Sequence, residues 1–257
     1  MRLKGNTILI TGGGSGIGRG LAEAFHALGN QVVIAGRRKS VLDATVDANP
    51  GMKSVLLDIG NAEDIRRVAD VVFTRFPTLN VLVHNAGVMR TEMVLDGGVA
   101  DAEEMLITNL LGPIRLTAAL LPQLRSQPNA TIIGVSSGLA FVPRATNPTY
   151  CATKAALHSY LQSMRYQLRD LNISVVEIVP PYVRTGLNGP DQAADANAMP
   201  LDDYIAETMA ILRDQPDATE ICVSRVRPIR NAEASGQYDA LYTRLNATMP
   251  GAANAPN

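Results

Sequence analysis

Three polar side chains in the middle of the chain have the types and spacing needed for proton transfer. Ser137 follows an apolar, β-branched run at residues 130–135, which is typical of a buried parallel strand. Tyr150 and Lys154 are four residues apart in a segment with helical periodicity, residues 150–171, so they share one helix face. A hydroxyl, a phenol and an ammonium at the carboxyl end of a strand can move a proton beside a carbonyl group. Tyr–Lys pairs at this spacing also occur on ordinary surface helices, so the interpretation depends on the sequence upstream.

A glycine-rich turn lies near the N-terminus, where a predicted strand at residues 6–11 passes into a predicted helix at residues 19–28. Gly12 can take up a positive φ. Gly16 and Gly18 lack a Cβ, so a pyrophosphate can approach the backbone and the helix can approach the strand. The helix N-terminus also offers free N–H groups and a positive dipole end to phosphates. The turn therefore predicts a dinucleotide-binding site.

The end of the second predicted strand, residues 31–35, bears on which nicotinamide cofactor is bound. An acidic residue there usually holds the free ribose 2′-hydroxyl of NAD(H). This sequence instead has Gly36 followed by Arg37 and Arg38. Guanidinium groups suit a 2′-phosphate, because they are always charged and bind oxyanions in a bidentate manner. The pattern favours NADP(H) over NAD(H); the alternative is that both arginines are solvated surface residues.

Strands and helices alternate along the chain and predict one α/β domain over residues 1–257, with a Rossmann-type, doubly wound parallel sheet between two helical layers. Further strands are predicted at residues 53–57, 80–83, 173–179 and 220–223. Further helices are predicted at residues 40–48, 62–76, 99–124, 201–213 and 237–245. We expect Gly112 and Pro113 to bend the helix at 99–124. Residues 186–213 are predicted to form a substrate lid, and residues 249–257 a disordered tail.

The composition excludes several classes of partner. Hydrophobic residues make up 46% and charged residues 18% of the chain, and the net charge of −1 gives no reason to expect nucleic acid or an anionic membrane surface. No apolar run approaches the length of a membrane span, and no signal-like apolar region follows Met1, so a cytoplasmic location is expected. Cys151 and Cys222 cannot form a disulfide framework. The three histidines are scattered without metal-ligand spacing, so no metal is expected.

Taken in order, these residues resemble the short-chain dehydrogenase/reductase family in its compact single-domain branch. The motifs that carry the resemblance are residues 11–18, Asp58, residues 85–87, Asn109, Ser137, and Tyr150 with Lys154. Arg37 after Gly36 resembles the NADP-preferring members. Residues 225–246 are most similar to the DltE-type oxidoreductases, bacterial proteins named from a D-alanine transfer operon. Two positions depart from the family pattern, because His84 replaces an Asn and Pro181 replaces a Gly.

The resemblance implies an NADP(H)-dependent oxidoreductase that interconverts a ketone or aldehyde and an alcohol. Tyr150 would be the general acid/base, and Ser137 would bind the carbonyl oxygen. Lys154 would contact the ribose and lower the pKa of Tyr150, and Asn109 would hold a water in a proton relay.

The resemblance also implies cofactor contacts and an assembly. The implied cofactor-binding residues are Gly12, Ser15, Gly16, Ile17, Gly18, Arg37, Arg38, Asp58, Ile59, Asn85, Ala86, Gly87, Tyr150, Lys154, Pro180, Val183 and Thr185. Family members pair helices like those predicted at residues 99–124 and 150–171, so a homodimer or homotetramer is expected.

Other functions remain open at this stage. A non-catalytic, dinucleotide-sensing protein would share the glycine turn, and a cell-envelope accessory protein would fit the DltE-type resemblance. The presence of Tyr150 and Lys154 favours the enzyme over both. An epimerase or dehydratase that acts on nucleotide sugars is disfavoured, because such enzymes are similar in the core but have a larger C-terminal substrate region.

Overall fold

A parallel sheet of seven strands forms the centre of the computed structural model, which describes residues 2–247. The strands lie in the order β3-β2-β1-β4-β5-β6-β7, and every neighbouring pair is parallel. The strands are β1 (Thr7–Thr11), β2 (Gln31–Gly36), β3 (Lys53–Leu56), β4 (Leu79–His84), β5 (Ala130–Val135), β6 (Ile173–Val179) and β7 (Glu220–Cys222). This order confirms the predicted Rossmann-type, doubly wound sheet.

Helices cover both faces of the sheet, as the strand–helix alternation predicts. They are α1 (Gly16–Ala27), α2 (Lys39–Ala48), α3 (Ala62–Arg75), α4 (Ala100–Leu106), α5 (Gly112–Ser126), α6 (Pro148–Gln167), α7 (Pro190–Ala194), α8 (Leu201–Asp214), α9 (Arg227–Arg230) and α10 (Tyr238–Asn246). The sequence pattern did not indicate the short helices α7 and α9. The predicted tail at residues 249–257 lies outside the described residues.

The core has two halves, one on each face of the sheet. On one face, α3, α5 and α6 bury apolar side chains such as Val68, Leu120 and Leu161 against the strands. On the other face, α1, α2 and α8 bury side chains such as Phe25 and Tyr204. A strand that is covered on both faces must be apolar throughout, which explains the continuous apolar runs in the sequence.

The stretch predicted as one bent helix consists of three parts. A π-helical segment, Ile107–Leu111, joins α4 to α5 just before Gly112 and Pro113. Proline has no N–H to give to the carbonyl of the residue four positions earlier, which here is Asn109. The local change to π-helical bonding therefore coincides with this missing donor, and it places Asn109 in a widened turn.

The same stretch is the described helical segment that is long and apolar enough to span a membrane. It covers residues 100–126, 27 in number, and reaches a mean hydropathy of 1.3. The sequence pattern did not indicate this, because Gly112, Pro113 and Arg115 interrupt the apolar run. Leu116, Leu120 and Leu124 of this segment are fully buried in the core, so they already have apolar partners inside the protein.

The sheet order changes direction at one place, between β1 and β4. The chain leaves β1 toward β2 and β3 on one side, and it returns to β4 on the other side of β1. The loops that follow β1 and β4 consequently separate at the carboxyl edge of the sheet and leave a crevice between them. Ligands of open α/β sheets bind in such a crevice, and the predicted functional residues are found there.

Candidate active site

A cavity of about 920 Å³ opens at the carboxyl ends of the strands. The loops after β1, β2, β4, β5 and β6 all contribute to its walls, so it extends across the switch point of the sheet. Its size lies in the upper part of the range for sites that bind small molecules and cofactors. We call it the central cavity.

Tyr150 and Ser137 lie side by side in the wall of the central cavity. Tyr150 is on the first turn of α6, and Ser137 follows β5 directly; the exposed fractions are 5% for Tyr150 and 8% for Ser137. The Ser137 hydroxyl hydrogen-bonds to the Tyr150 phenol and accepts the N–H of Leu139. Burial raises the pKa of the Tyr150 phenol above its usual value, and the hydrogen bond from Ser137 opposes the rise. The phenol is therefore protonated at neutral pH.

Lys154 lies one helical turn beyond Tyr150 and extends into the same space. Its Nζ donates to the carbonyl of Val135 at 2.9 Å and lies 5.6 Å from the centre of the Tyr150 ring. Burial lowers the pKa of Lys154 from 10.5 to about 8, although the carboxylate of Glu177 opposes the fall. Burial of the phenol dominates the pKa of Tyr150, and the lowering expected from Lys154 stays a prediction.

Asn109 joins three elements around Tyr150 and Lys154. Its Oδ1 accepts the N–H of Val88 at 2.8 Å, and its Nδ2 donates to the Val88 carbonyl at 2.9 Å. The same Nδ2 donates to Thr153 Oγ1 at 3.1 Å, and Thr153 donates to the Tyr150 carbonyl. The Asn109 side chain thus fixes the loop after β4 to the helix that carries Tyr150 and Lys154. It does not line the central cavity itself.

The glycine turn is held against the loop that follows β4. Gly12 has φ +67° and Gly16 has φ +52°, values that favour glycine at both positions. A Cβ on Gly18 would lie 2.4 Å from the Gly12 carbonyl oxygen and 2.3 Å from Asn85 Nδ2. Gly18 therefore serves the close packing of α1 on this turn, while Gly12 and Gly16 line the central cavity.

Two arginines stand at the end of the cavity beside β2. Arg38 Nη2 donates to Ser15 Oγ at 3.3 Å, next to the N-terminus of α1. Arg37 is 54% exposed and lies 3.9 Å from a carboxylate oxygen of Glu104. Gly36, the last residue of β2, lines the cavity without a side chain and so brings no carboxylate into it. This end of the cavity is positively charged, as the sequence predicts.

Comparison with known proteins identifies the family. The family model described as "short chain dehydrogenase" matches residues 6–196. The chain is a short-chain dehydrogenase. It is 36% identical to the oxidoreductase DltE of Bacillus subtilis (strain 168) over 253 aligned residues. The alignment covers 96% of this chain and 98% of that protein.

Two solved structures show the same fold with nicotinamide cofactors bound. A short-chain dehydrogenase from Burkholderia cenocepacia J2315 in complex with NADP is 26% identical, with a TM-score of 0.80 and coverage of 95% of this chain and 99% of the other. A short-chain dehydrogenase/reductase from Burkholderia phymatum in complex with NAD is 21% identical, with a TM-score of 0.80 and coverage of 97% and 99%. Both comparisons show that the chain shares its overall fold with these structures.

The central cavity of this dehydrogenase fits a nicotinamide dinucleotide. The glycine turn at its base lacks side chains where a diphosphate would lie, and α1 directs its N-terminus there. Of the predicted cofactor residues, these line the cavity: Gly12, Ser15, Gly16, Ile17, Arg37, Arg38, Ile59, Asn85, Ala86, Gly87, Tyr150, Lys154, Pro180, Val183 and Thr185. Gly18 packs beneath it. Asp58 does not line the cavity, and its carboxylate accepts the N–H of Gly60 at 3.0 Å.

Of the predicted lid at residues 186–213, the first part contributes to the wall of the central cavity. Leu187 and Gln192 line the central cavity, and Gln192 Nε2 donates to the Val183 carbonyl at 2.8 Å. Tyr204 and Met209, by contrast, belong to the core, where α8 packs on α1. The helical spacing of their apolar residues serves this packing.

Sequence reasoning missed the last wall of the cavity, which the C-terminal helix supplies. Leu241, Arg244 and Leu245 of α10 line it, together with Arg144 from the loop before α6. The helix itself was predicted, but nothing in its local pattern indicates that it returns to the active site. Asn246 makes the connection, because its Oδ1 accepts the N–H of Ala145 at 2.6 Å.

His84 and Pro181, the two departures from the family pattern, have different surroundings in the structure. His84 is buried at the end of β4, its Nε2 lies 2.7 Å from Thr117 Oγ1, and burial lowers its pKa to about 3. It is a neutral packing residue at physiological pH. Pro181 lies in the cavity wall after β6, where its ring restricts the backbone beside Tyr182.

A second polar cluster lies behind Lys154. Glu177 of β6 is fully buried, and one of its oxygens is 2.7 Å from His158 Nδ1. With Glu220 these residues bring three candidate metal ligands within 4.8 Å of one another, which the sequence spacing could not show. Glu220, however, is held by a two-point ion pair with Arg230. Glu177 bonds to His158 through one oxygen, while its Oε1 is buried and has no hydrogen-bond partner among the described residues.

Proposed function

We propose that this dehydrogenase catalyses the NADP(H)-dependent interconversion of a ketone or aldehyde and an alcohol. The observation that carries the proposal is the Tyr150 phenol, which is hydrogen-bonded to Ser137 and faces the cavity that also receives Lys154. The raised pKa of the phenol supports a role as proton donor, because reduction requires the protonated form.

The side chains divide the reaction between them. When bound, the reduced nicotinamide supplies the hydride that the carbonyl carbon accepts. Tyr150 gives its phenolic proton to the carbonyl oxygen, and the Ser137 hydroxyl donates a second hydrogen bond to that oxygen. The Lys154 ammonium stabilises the phenolate left on Tyr150 until it regains a proton from solvent. These hydrogen-bond donors lower the activation barrier, because they are already in place when negative charge develops on the carbonyl oxygen.

The preference for NADP(H) is argued from the charge at the end of β2. Arg37 and Arg38 line the cavity, Arg38 contacts Ser15 beside the α1 N-terminus, and Gly36 offers no carboxylate to a free 2′-hydroxyl. These groups suit the extra phosphate of NADP(H). The double substitution Gly36→Asp with Arg37→Ile should move the preference toward NADH. Comparing kcat/KM for both cofactors tests this, and a wild-type protein that prefers NADH would contradict the assignment.

A screen of carbonyl compounds tests the function itself. Purified protein is mixed with NADPH or NADH and a panel of ketones, aldehydes and hydroxy acids, and absorbance of the nicotinamide is followed. We expect saturable NADPH oxidation with at least one ketone or aldehyde. If the protein binds NADPH tightly in a fluorescence titration but turns over no compound in either direction, the dinucleotide-sensing alternative is favoured instead.

A further inference from the structure

The charged residues that line the central cavity are all basic. Among residues 2–247 the lining includes five arginines and one lysine, and no aspartate or glutamate. They are Arg37, Arg38, Arg90, Arg144, Lys154 and Arg244. A cavity with one sign of charge and low-dielectric walls attracts the opposite charge.

Four of these cations already have a role or a partner. Arg37 and Arg38 lie at the end of the cavity assigned to the cofactor, and Lys154 belongs to the catalytic group. Arg90 is paired, with its Nη2 2.9 Å from Glu104 and its Nε 3.8 Å from Asp101. Arg144 and Arg244 are different, because within the described part of the chain neither forms an ion pair.

Both of these arginines belong to the wall beside the catalytic residues. The backbone N–H of Arg144 donates to the Sγ of Cys151 at 3.3 Å, and Cys151 is the residue next to Tyr150. Arg244 is on α10, and Asn246 fastens that helix to residues 143 and 145 on either side of Arg144. The fold therefore brings two cations from distant parts of the sequence to one side of the catalytic pair.

Two carboxylates near this wall, Glu92 and Asp195, form hydrogen bonds to other groups. Both oxygens of Glu92 accept hydrogen bonds from Thr149. Asp195 accepts the N–H of Asn197 at 2.7 Å and bonds to the Tyr182 phenol. Neither carboxylate lines the cavity. The charge of Arg144 and Arg244 is thus available to a ligand.

We propose that the substrate is a carbonyl or hydroxy compound with an anionic group, and that Arg144 and Arg244 bind this group. Leu139, Val142 and Leu241 also line the cavity, so they offer apolar contacts to a chain that joins this group to the reacting carbon. Carboxylates and phosphates share the oxyanion chemistry that guanidinium groups recognise. The proposal rests on the proposed carbonyl reduction and defines the class of its substrate.

Matched substrates test the proposal. Levulinate and its methyl ester have the same ketone but differ in charge, as do dihydroxyacetone phosphate and dihydroxyacetone. We expect kcat/KM with NADPH to be about 10- to 100-fold higher for the anionic member of at least one pair, the size of a charge-assisted hydrogen bond. A preference within the levulinate pair indicates a carboxylate substrate, and a preference within the dihydroxyacetone pair indicates a phosphate substrate.

Variants locate the effect. Arg144→Gln or Arg244→Gln should reduce the ratio of anionic to neutral kcat/KM about 10-fold or more, mainly through KM, while the Kd for NADPH changes little. Arg144→Lys should keep part of the ratio. Arg125→Gln is the matched control, since Arg125 is exposed at the end of α5 and lies outside the cavity lining, and it should leave the ratio unchanged.

The failures of the two proposals are distinguishable. If wild-type protein reduces the neutral members as well as or better than the anionic ones, the proposed function stands and the anionic substrate is wrong. A preference that persists in both glutamine variants also overturns the assignment of the arginines. If the protein reduces no carbonyl compound of either charge, the proposed function fails and this inference fails with it.

Discussion

Replacing Lys154 by methionine should stabilise the cofactor-free protein at neutral pH. Burial lowers the pKa of Lys154 from 10.5 to about 8. Each tenfold change in proton affinity corresponds to about 1.4 kcal/mol, so keeping the ammonium inside the folded protein costs about 3 kcal/mol at pH 7. Methionine removes this cost and fills a similar volume. It also leaves the Val135 carbonyl without its hydrogen bond, a loss of about 1 kcal/mol. The expected net gain is about 2 kcal/mol.

The stability advantage of the methionine variant depends on pH, because the pKa of Lys154 is lower in the folded than in the unfolded protein. Below pH 8 the lysine is protonated in both the folded and the unfolded protein, so the cost is fully present. As the pH rises from 8 to 10.5, the folded protein loses the proton before the unfolded protein does, and the stability of the wild type rises. The advantage of the methionine variant should therefore shrink between pH 7 and pH 9.5.

Urea unfolding followed by circular dichroism at pH 7 and pH 9.5 measures the difference. Lys53→Met is the control, because Lys53 is exposed on β3 and its removal should change the free energy of unfolding by less than about 0.5 kcal/mol at either pH. The reasoning is refuted if Lys154→Met is less stable than the wild type at pH 7, or if its advantage is independent of pH.

Three further predictions concern the glycine turn, the cofactor and the assembly. Gly18→Ala should destabilise the protein by about 1–3 kcal/mol, because its Cβ would lie 2.4 Å from the Gly12 carbonyl; Gly98→Ala, in open space, should be nearly neutral by thermal unfolding. Lys154→Ala should weaken NADPH binding as well as turnover, and a titration showing an unchanged Kd would count against its ribose contact. We also expect a homodimer or homotetramer by light scattering, since apolar side chains of the segment at 100–111 remain exposed; a monomer at micromolar concentration contradicts this.

Much of the fold could be predicted because its signals are local. The boundaries of β5 and β6 agree with the apolar runs, since a strand covered on both faces has no polar alternation to obscure them. Helix starts are local as well, since Asn61 caps α3 through its Oδ1, which accepts the N–H groups of Glu63 and Asp64. The placement of Tyr150 and Lys154 on one helix face required only one helix.

The residues that were missed depend on distant parts of the chain. Arg144 and Arg244 meet at one wall only because Asn246 connects α10 to the loop before α6. No periodicity in either segment contains this information. Glu177 did carry a signal, because a carboxylate inside an otherwise apolar strand requires a buried partner. That partner, His158, is on α6 and could not be named from spacing.

Tyr150→Phe tests the central claim most directly. The ring keeps its shape, so the fold acquires no cavity, while the transferable proton and the hydrogen bond to Ser137 are lost. NADPH oxidation with a carbonyl substrate of the wild type, followed by absorbance, should fall about 100- to 10,000-fold, and fluorescence titration should show NADPH binding nearly intact. A Tyr150→Phe protein that keeps wild-type turnover would contradict the assignment of Tyr150 as the proton donor.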